Sequence, residues 1–258
     1  MRALLAAVAA LAAAGAVCAQ SPQVTVRWFG QSFWQITTSQ GTRIVIDPHA
    51  IEAYGKPTAP ADLVLVTHNH DDHNQLDSIE NRAQAKVLAG LTPADPRKPG
   101  REKWVPIDEK FRDVKVTSVP SYHDSDGGLR RGLNTIFVIE FDGLRFVHLG
   151  DLGHELSDEQ ANKIRPVDVL MIPAGGVYTI NGTEAKAVIA KLKPRLYILP
   201  MHYGTKVYDD LLPPEEFLDG LKLPVSRRLG SNELVIPTDL KKPDGPEVVL
   251  LGWRKAGV

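Results

Sequence analysis

The run Thr67-His68-Asn69-His70-Asp71-Asp72-His73 gathers three of the chain's 8 histidines and two aspartates into seven consecutive positions. Imidazole nitrogens and carboxylate oxygens are the donors that hold divalent metals, and this density is the signature of a metal site rather than of a solvated loop. Two residues apart on an extended segment, His68 and His70 point to the same side. Asp72 and His73 follow closely enough to turn towards a second position, so a pair of adjacent cations fits the spacing.

Donors are useful only when a stiff element aims them. Asp62-Leu63-Val64-Leu65-Val66 reads as a buried strand, and the histidine run begins where it stops. The same placement recurs three times. His123 follows the alternating segment Val114 to Val119, Asp151 follows Leu144 to Gly150, and His202 follows Leu196 to Met201. Seven candidate ligands therefore sit at the ends of apolar runs, more than one tetrahedral site needs.

With these residues in place, the chain resembles the metallo-β-lactamase superfamily. The resemblance rests on an early hairpin ending in Ile46-Asp47-Pro48, the Thr-His-x-His-x-Asp-His run, the later His123, Gly150-Asp151 and the late His202. Ile172-Pro173-Ala174-Gly175-Gly176, Tyr178-Thr179 and Leu199 to Thr205 look like the branch that contains L-ascorbate-6-phosphate lactonase and many metal-dependent hydrolases. The resemblance implies an α/β fold, a four-layer αββα sandwich. It also implies one metal on His68, His70 and His123, a second on Asp72, His73 and His202, and Asp151 between them. Two divalent ions are expected, with zinc suited to the donor set and manganese permitted. A glutamate commonly replaces the second histidine of the run in the iron-containing redox members; here that position is His70, which favours hydrolysis.

The reaction so implied is attack by a hydroxide bridging two metal ions, with Asp72 and Asp151 as the carboxylates at the reacting centre. A small ester, lactone or similar bond is the first expectation. A phosphodiester in an anionic lipid or nucleotide-like molecule is the second, and a noncatalytic metal-dependent binding protein is the third.

Residues around the ligands supply further candidates. Asp47, a carboxylate at a strand end, can orient a ligating imidazole through its free N–H. The stretch from Asp124 to Asn134 leaves His123 directly, and Arg130, Arg131 and Asn134 can bind a carboxylate or phosphate there. His154 is a candidate acid or substrate contact, and Tyr178 and Tyr203 are candidate donors, with aromatic packing as the alternative for both tyrosines. His148 and His49 read as structural, and the proline-rich segment 92–100 reads as a stiff surface connector.

Met1-Arg2 followed by an alanine, leucine and valine stretch has the form of a secretory signal peptide over residues 1–19, with Val17-Cys18-Ala19 as the cleavage pattern. A periplasmic or secreted domain over 20–258 is expected, with no stable membrane insertion. Val17 is a poor residue for lipidation at Cys18. Loss of the leader removes the single cysteine, and with it any thiolate ligand, and takes the net charge from −1 to −2. No long basic block is present, so the expected partner is a small molecule and not nucleic acid; oligomeric state is open.

Alternation places strands at Val24–Trp28, Phe33–Thr37, Thr42–Ile46 and Thr135–Glu140, with turns at Ser39-Gln40-Gly41 and Asp142-Gly143. Helices are expected at Asp158–Ile164, with Ser157 and Gln160 as a capping box, and at Glu184–Leu192, with Thr183 as cap and Pro194 as stop. A short helix should follow Pro213-Pro214.

Overall fold

The computed structural model describes residues 21–95, 97, 100–240 and 243–254. The expected leader, and with it the cleavage site and Cys18, lies outside the described residues. Among those described, no helix is long and apolar enough to cross a membrane.

Two sheets form the core. The first contains β1 (Gln23–Trp28), β2 (Trp34–Thr37), β3 (Arg43–Ile46), β4 (Leu63–Val66) and β5 (Lys86–Ala89). The second is built from β6 (Asp108–Phe111), β7 (Val114–Tyr122), β8 (Leu133–Phe141), β9 (Leu144–His148), β10 (Val169–Pro173), β11 (Tyr197–Met201) and β12 (Val225–Arg228). Of the last two strands, β13 (Glu233–Pro237) returns to pair with β1, and β14 (Glu247–Leu251) inserts between β11 and β12.

Strand alternation decides which side chains meet. Ile44, Ile46, Leu63 and Leu65 face the second sheet and join one large core with Val138, Phe146 and Ile172. Their neighbours Val45, Val64 and Val66 point the other way into a smaller cluster with Phe33, Ala59 and Ile79. At the sheet interface the Trp34 indole N–H donates to Met201 Sδ at 3.2 Å, joining β2 to β11.

Helices α1 (Asp158–Ile164) and α2 (Gly182–Leu192) belong to the outer layer of the second sheet, and α3 (Glu215–Leu218) packs against α2. Ser157 and Gln160 form the expected capping box. At α2 the cap is Asn181 rather than Thr183: its side chain accepts from Glu184 N while Glu184 reaches back to the Asn181 N–H. Over the first sheet the chain makes three short 3-10 turns, Glu52–Tyr54, Leu76–Ser78 and Arg82–Gln84, in place of α-helices.

Direction explains where the donors gather. β7 is antiparallel to β8, β8 to β9, and β9, β10 and β11 are parallel, so β7, β9, β10 and β11 all end at one edge. In the first sheet β3 and β4 are parallel and end together, delivering Asp47 beside the histidine run.

Candidate metal centre

Asp151 Oδ2 is the hub of the strand ends. It lies 3.2 Å from His73 Nε2, 3.1 Å from His123 Nε2 and 3.0 Å from His202 Nε2. His68 Nε2 and His70 Nδ1 face each other at 3.1 Å. Donor atoms of His68, His70 and His123, of His68, His73 and Asp151, and of Asp72, His73 and His202 each lie within 4.8 Å of one another. The structure thus brings together all seven residues expected as ligands.

Burial is uneven, which gives the centre a direction. His68, His73, His123, Asp151 and His202 are buried, whereas His70 is exposed and Asp72 half-buried, so the centre opens on the side of these two. Surface hollows elsewhere, such as the one bordered by Glu140, Arg145, Asp168 and Arg195, contain none of these donors.

Asp47 controls two rings at once. Its Oδ2 accepts from the Thr67 hydroxyl at 2.7 Å and lies 2.9 Å from His73 Nδ1, and its Oδ1 accepts from the Thr67 N–H at 2.8 Å. Thr67 Oγ1, its proton committed to Asp47, stands 2.9 Å from His68 Nδ1 and can accept from it. Both imidazoles thereby keep a proton on Nδ1 and turn Nε2 inwards, the orientation that a metal ligand requires.

The charges in the cluster point the same way. Burial pushes His73 down, yet the carboxylates of Asp151, Asp72 and Asp47 outweigh it and hold the ring well above its ordinary range. Burial works against the charge of Asp151, and His202, His73 and His123 reverse this, holding it well below the usual carboxylate range. Burial, then His73, presses His68 well below the usual imidazole range. A cluster of carboxylates calls for positive charge at its middle, and His73 Nε2 is buried there without a hydrogen-bond partner. Oxygen and nitrogen donors with inward lone pairs fit a divalent cation.

Asn134 serves the hub rather than a substrate. It is fully buried, its amide donates to Ser121 Oγ and the Leu149 carbonyl, and its Oδ1 accepts from the Asp151 N–H at 3.0 Å. The approach is so close that a Cβ on Gly150, which has φ +55, would collide with Asn134 Oδ1. The other expected substrate contacts divide. His154 is turned to the backbone, with Nε2 accepting from the Tyr122 N–H and Nδ1 2.7 Å from the Glu155 carbonyl. Tyr203 is buried and stacked on Trp28, and burial raises its hydroxyl above the ordinary range. Arg130 pairs with Asp126. Arg131 donates to the Val177 carbonyl and lies over the ring of Tyr178, which is partly exposed. His148 is buried, with Nδ1 accepting from the Gly150 N–H, and His49 Nε2 is 3.1 Å from the Gly30 carbonyl.

Three polar residues at the centre were missed in the sequence. Gln31 donates through Nε2 to Asp72 Oδ2, Ser32 Oγ lies 3.4 Å from Asp151 Oδ1, and Thr67 carries the link from Asp47 to His68. A signal for the first two was present: Gln31 and Ser32 interrupt the aromatic stretch Trp28-Phe29 and Phe33-Trp34, and both are buried.

Comparison with known proteins agrees with this geometry. A family model described as a beta-lactamase superfamily domain matches residues 25–202. A UPF0173 metal-dependent hydrolase from Thermococcus onnurineus is 34% identical over 197 residues, covering 70% of this chain and 85% of the relative. One from Pyrococcus furiosus is 32% identical over 202 residues, covering 70% and 85%. A crystal structure from Thermotoga maritima, described as a Zn-dependent hydrolase of the metallo-beta-lactamase superfamily, superposes with a TM-score of 0.64 at 30% identity, covering 89% of this chain and 98% of that one.

Proposed function

The chain belongs to the metallo-β-lactamase superfamily and is a metal-dependent hydrolase, and from that premise we propose that it is an exported enzyme cleaving a small ester or lactone at a centre of two divalent metal ions. The observation that carries the reading is the convergence of His73, His123 and His202 on Asp151 Oδ2. His68, His70 and His123 would hold one ion, Asp72, His73 and His202 the other, with Asp151 between them. Zinc suits the set. When bound, such ions supply the positive charge that acidifies water and polarises a carbonyl.

The protein's own part is preorganisation. Asp47 and Thr67 fix the protons of His73 and His68 on the outward nitrogens. Asn134 fixes the backbone of Asp151. Asp72, half-buried and beside the opening, is the carboxylate best placed to hold a proton of the attacking water. Export rests on the apolar leader of residues 1–19.

The arginine arrangement supports an ester or lactone over a phosphodiester. Arg130 is paired with Asp126, and Arg131 is engaged with Val177 and Tyr178, so neither is poised for a phosphate. The test is hydrolysis of a lactone, a p-nitrophenyl ester and bis-p-nitrophenyl phosphate by the metal-loaded protein and by Asp151→Asn. Turnover of the first two, lost in the variant while circular dichroism is unchanged, is expected. Full activity in Asp151→Asn, or cleavage of the phosphodiester alone, would overturn the reading.

A further inference from the structure

Three chain segments rise around the metal centre: residues 124–132 from His123, residues 174–181 from the end of β10, and residues 203–212 from His202. They are tied to one another. The Gly175 N–H donates to the His202 carbonyl, the Leu212 N–H to the Gly175 carbonyl and the Gly204 N–H to the Leu212 carbonyl. Arg131 crosses from the first segment to the second, donating Nη2–H to the Val177 carbonyl at 3.1 Å with its guanidinium 4.8 Å from the Tyr178 ring centroid.

On this frame four apolar side chains stand outwards, beside the exposed charges of Lys206, Asp209 and Asp210. Val177 is 50% exposed, Tyr178 42%, Val207 38% and Leu212 51%. Val177 also has φ 61, a conformation that a β-branched residue adopts only under strain. The structure holds a strained valine in place with an arginine brace and leaves half of it exposed. Tyr208 sets its ring 5.5 Å from that of Tyr54, and burial, with the charges of Asp210 and Asp72, raises its hydroxyl above the ordinary range.

We propose that Val177, Tyr178, Val207 and Leu212 form a subsite for the apolar acyl chain of a neutral ester or lactone, which rests on the hydrolase reading above. The centre is open at His70 and Asp72, so the metal ligands do not enclose a substrate, and grip has to come from the rim. Arg131 is committed to Val177 and Tyr178, and the three segments carry Asp124, Asp126, Asp209 and Asp210 against Arg130, Arg131 and Lys206, so the rim has no excess of positive charge for an anionic chain. A second copy of the chain seated here would cover the opening, whereas an acyl chain uses the surface while its carbonyl reaches the centre. Each buried methylene contributes about 0.8 kcal/mol, or about fourfold in kcat/KM.

The experiment compares p-nitrophenyl acetate, butyrate and hexanoate with metal-loaded wild type, Tyr178→Ala, Leu212→Ala and, as a control on an exposed residue of β13, Val235→Ala. Calorimetry of acetate and hexanoate binding to the same proteins runs beside it. Wild type and Val235→Ala should favour hexanoate over acetate by at least about tenfold in kcat/KM, and hexanoate should bind more tightly. Tyr178→Ala and Leu212→Ala should each lower that ratio severalfold, with the binding preference falling in step. Equal turnover of all three esters, a preference untouched by both variants, or a dimer that dissociates in Tyr178→Ala would overturn the subsite. If no ester or lactone is cleaved, the hydrolase reading fails in its bond class, and the hexanoate-to-acetate binding ratio decides the rim alone.

Discussion

Gln31 Nε2 donates to Asp72 Oδ2 at 2.8 Å across 41 positions of chain. Gln31 sits at φ 50 in the turn between β1 and β2, is buried, and offers its backbone carbonyl to the His202 N–H at 3.2 Å. One residue thus holds both the carboxylate and the backbone of two expected ligands to the same ion. The donor must be Nε2, because the opposite amide orientation would set Oε1 against a carboxylate oxygen.

Gln31→Ala should therefore loosen one metal and spare the other. Removing a hydrogen-bond partner of a ligand typically lowers metal affinity by about 10–100-fold. Equilibrium dialysis with elemental analysis should show wild type near two equivalents and the variant near one at the same free metal concentration. Two equivalents held with unchanged affinity in Gln31→Ala would remove Gln31 from the positioning role; one equivalent in wild type would instead overturn the two-ion proposal.

Sequence alone could single out the residues that the fold gathers because each is of metal-binding type and stands where an apolar strand ends, as His68 does just beyond Leu63-Val64-Leu65-Val66. Asp47 was legible for the same reason. Gln31 showed only as a polar break in an aromatic stretch and its role did not show, since an amide is not a ligand type and its partner is distant in the chain. Asn134 reads in the sequence as part of a loop leaving His123, but it is the second residue of β8, paired with Ser121, and faces inwards. The cap of α2 was readable in principle: Asn181 has Glu184 three positions on, whereas Thr183 has Lys186, which cannot complete a capping box. The 3-10 turns over the first sheet leave no such mark, because a single turn shows no helical period.

Acid should expose the burial of His49. Burial lowers its pKa to about 4 from an ordinary value of 6.5. The native state therefore keeps the ring neutral while the unfolded chain takes a proton first, so this stability is full above pH 6.5, declines as pH falls towards 4 and declines no further below it. The ceiling is about 3 kcal/mol. In urea unfolding at pH 7, 5.5 and 4.5, the difference between wild type and His49→Gln, which retains a donor for the Gly30 carbonyl, should shrink as pH falls. The other buried histidines are common to both proteins and cancel. A difference that stays constant over that range would mean that His49 does not carry this dependence.

Removal of metal should cost stability as well as activity. In the metal-free protein His73 Nε2 faces Asp151 Oδ2 at 3.2 Å without hydrogen-bond geometry, and Asp151 is a buried carboxylate whose charge is offset by neighbouring rings. A ligand that binds the folded chain at 100 times its Kd adds about 2.7 kcal/mol. For a domain of this size that corresponds to a shift of about 5–10 °C in Tm. Dialysis against a chelator should lower Tm by that order and added zinc should restore it. In Asp151→Asn the neutral amide no longer draws a cation to the hub, so the chelator-dependent shift should be smaller than in wild type. Equal shifts in the two proteins would place the stabilising metal away from Asp151, and no shift in wild type would mean that the cluster is stable without it.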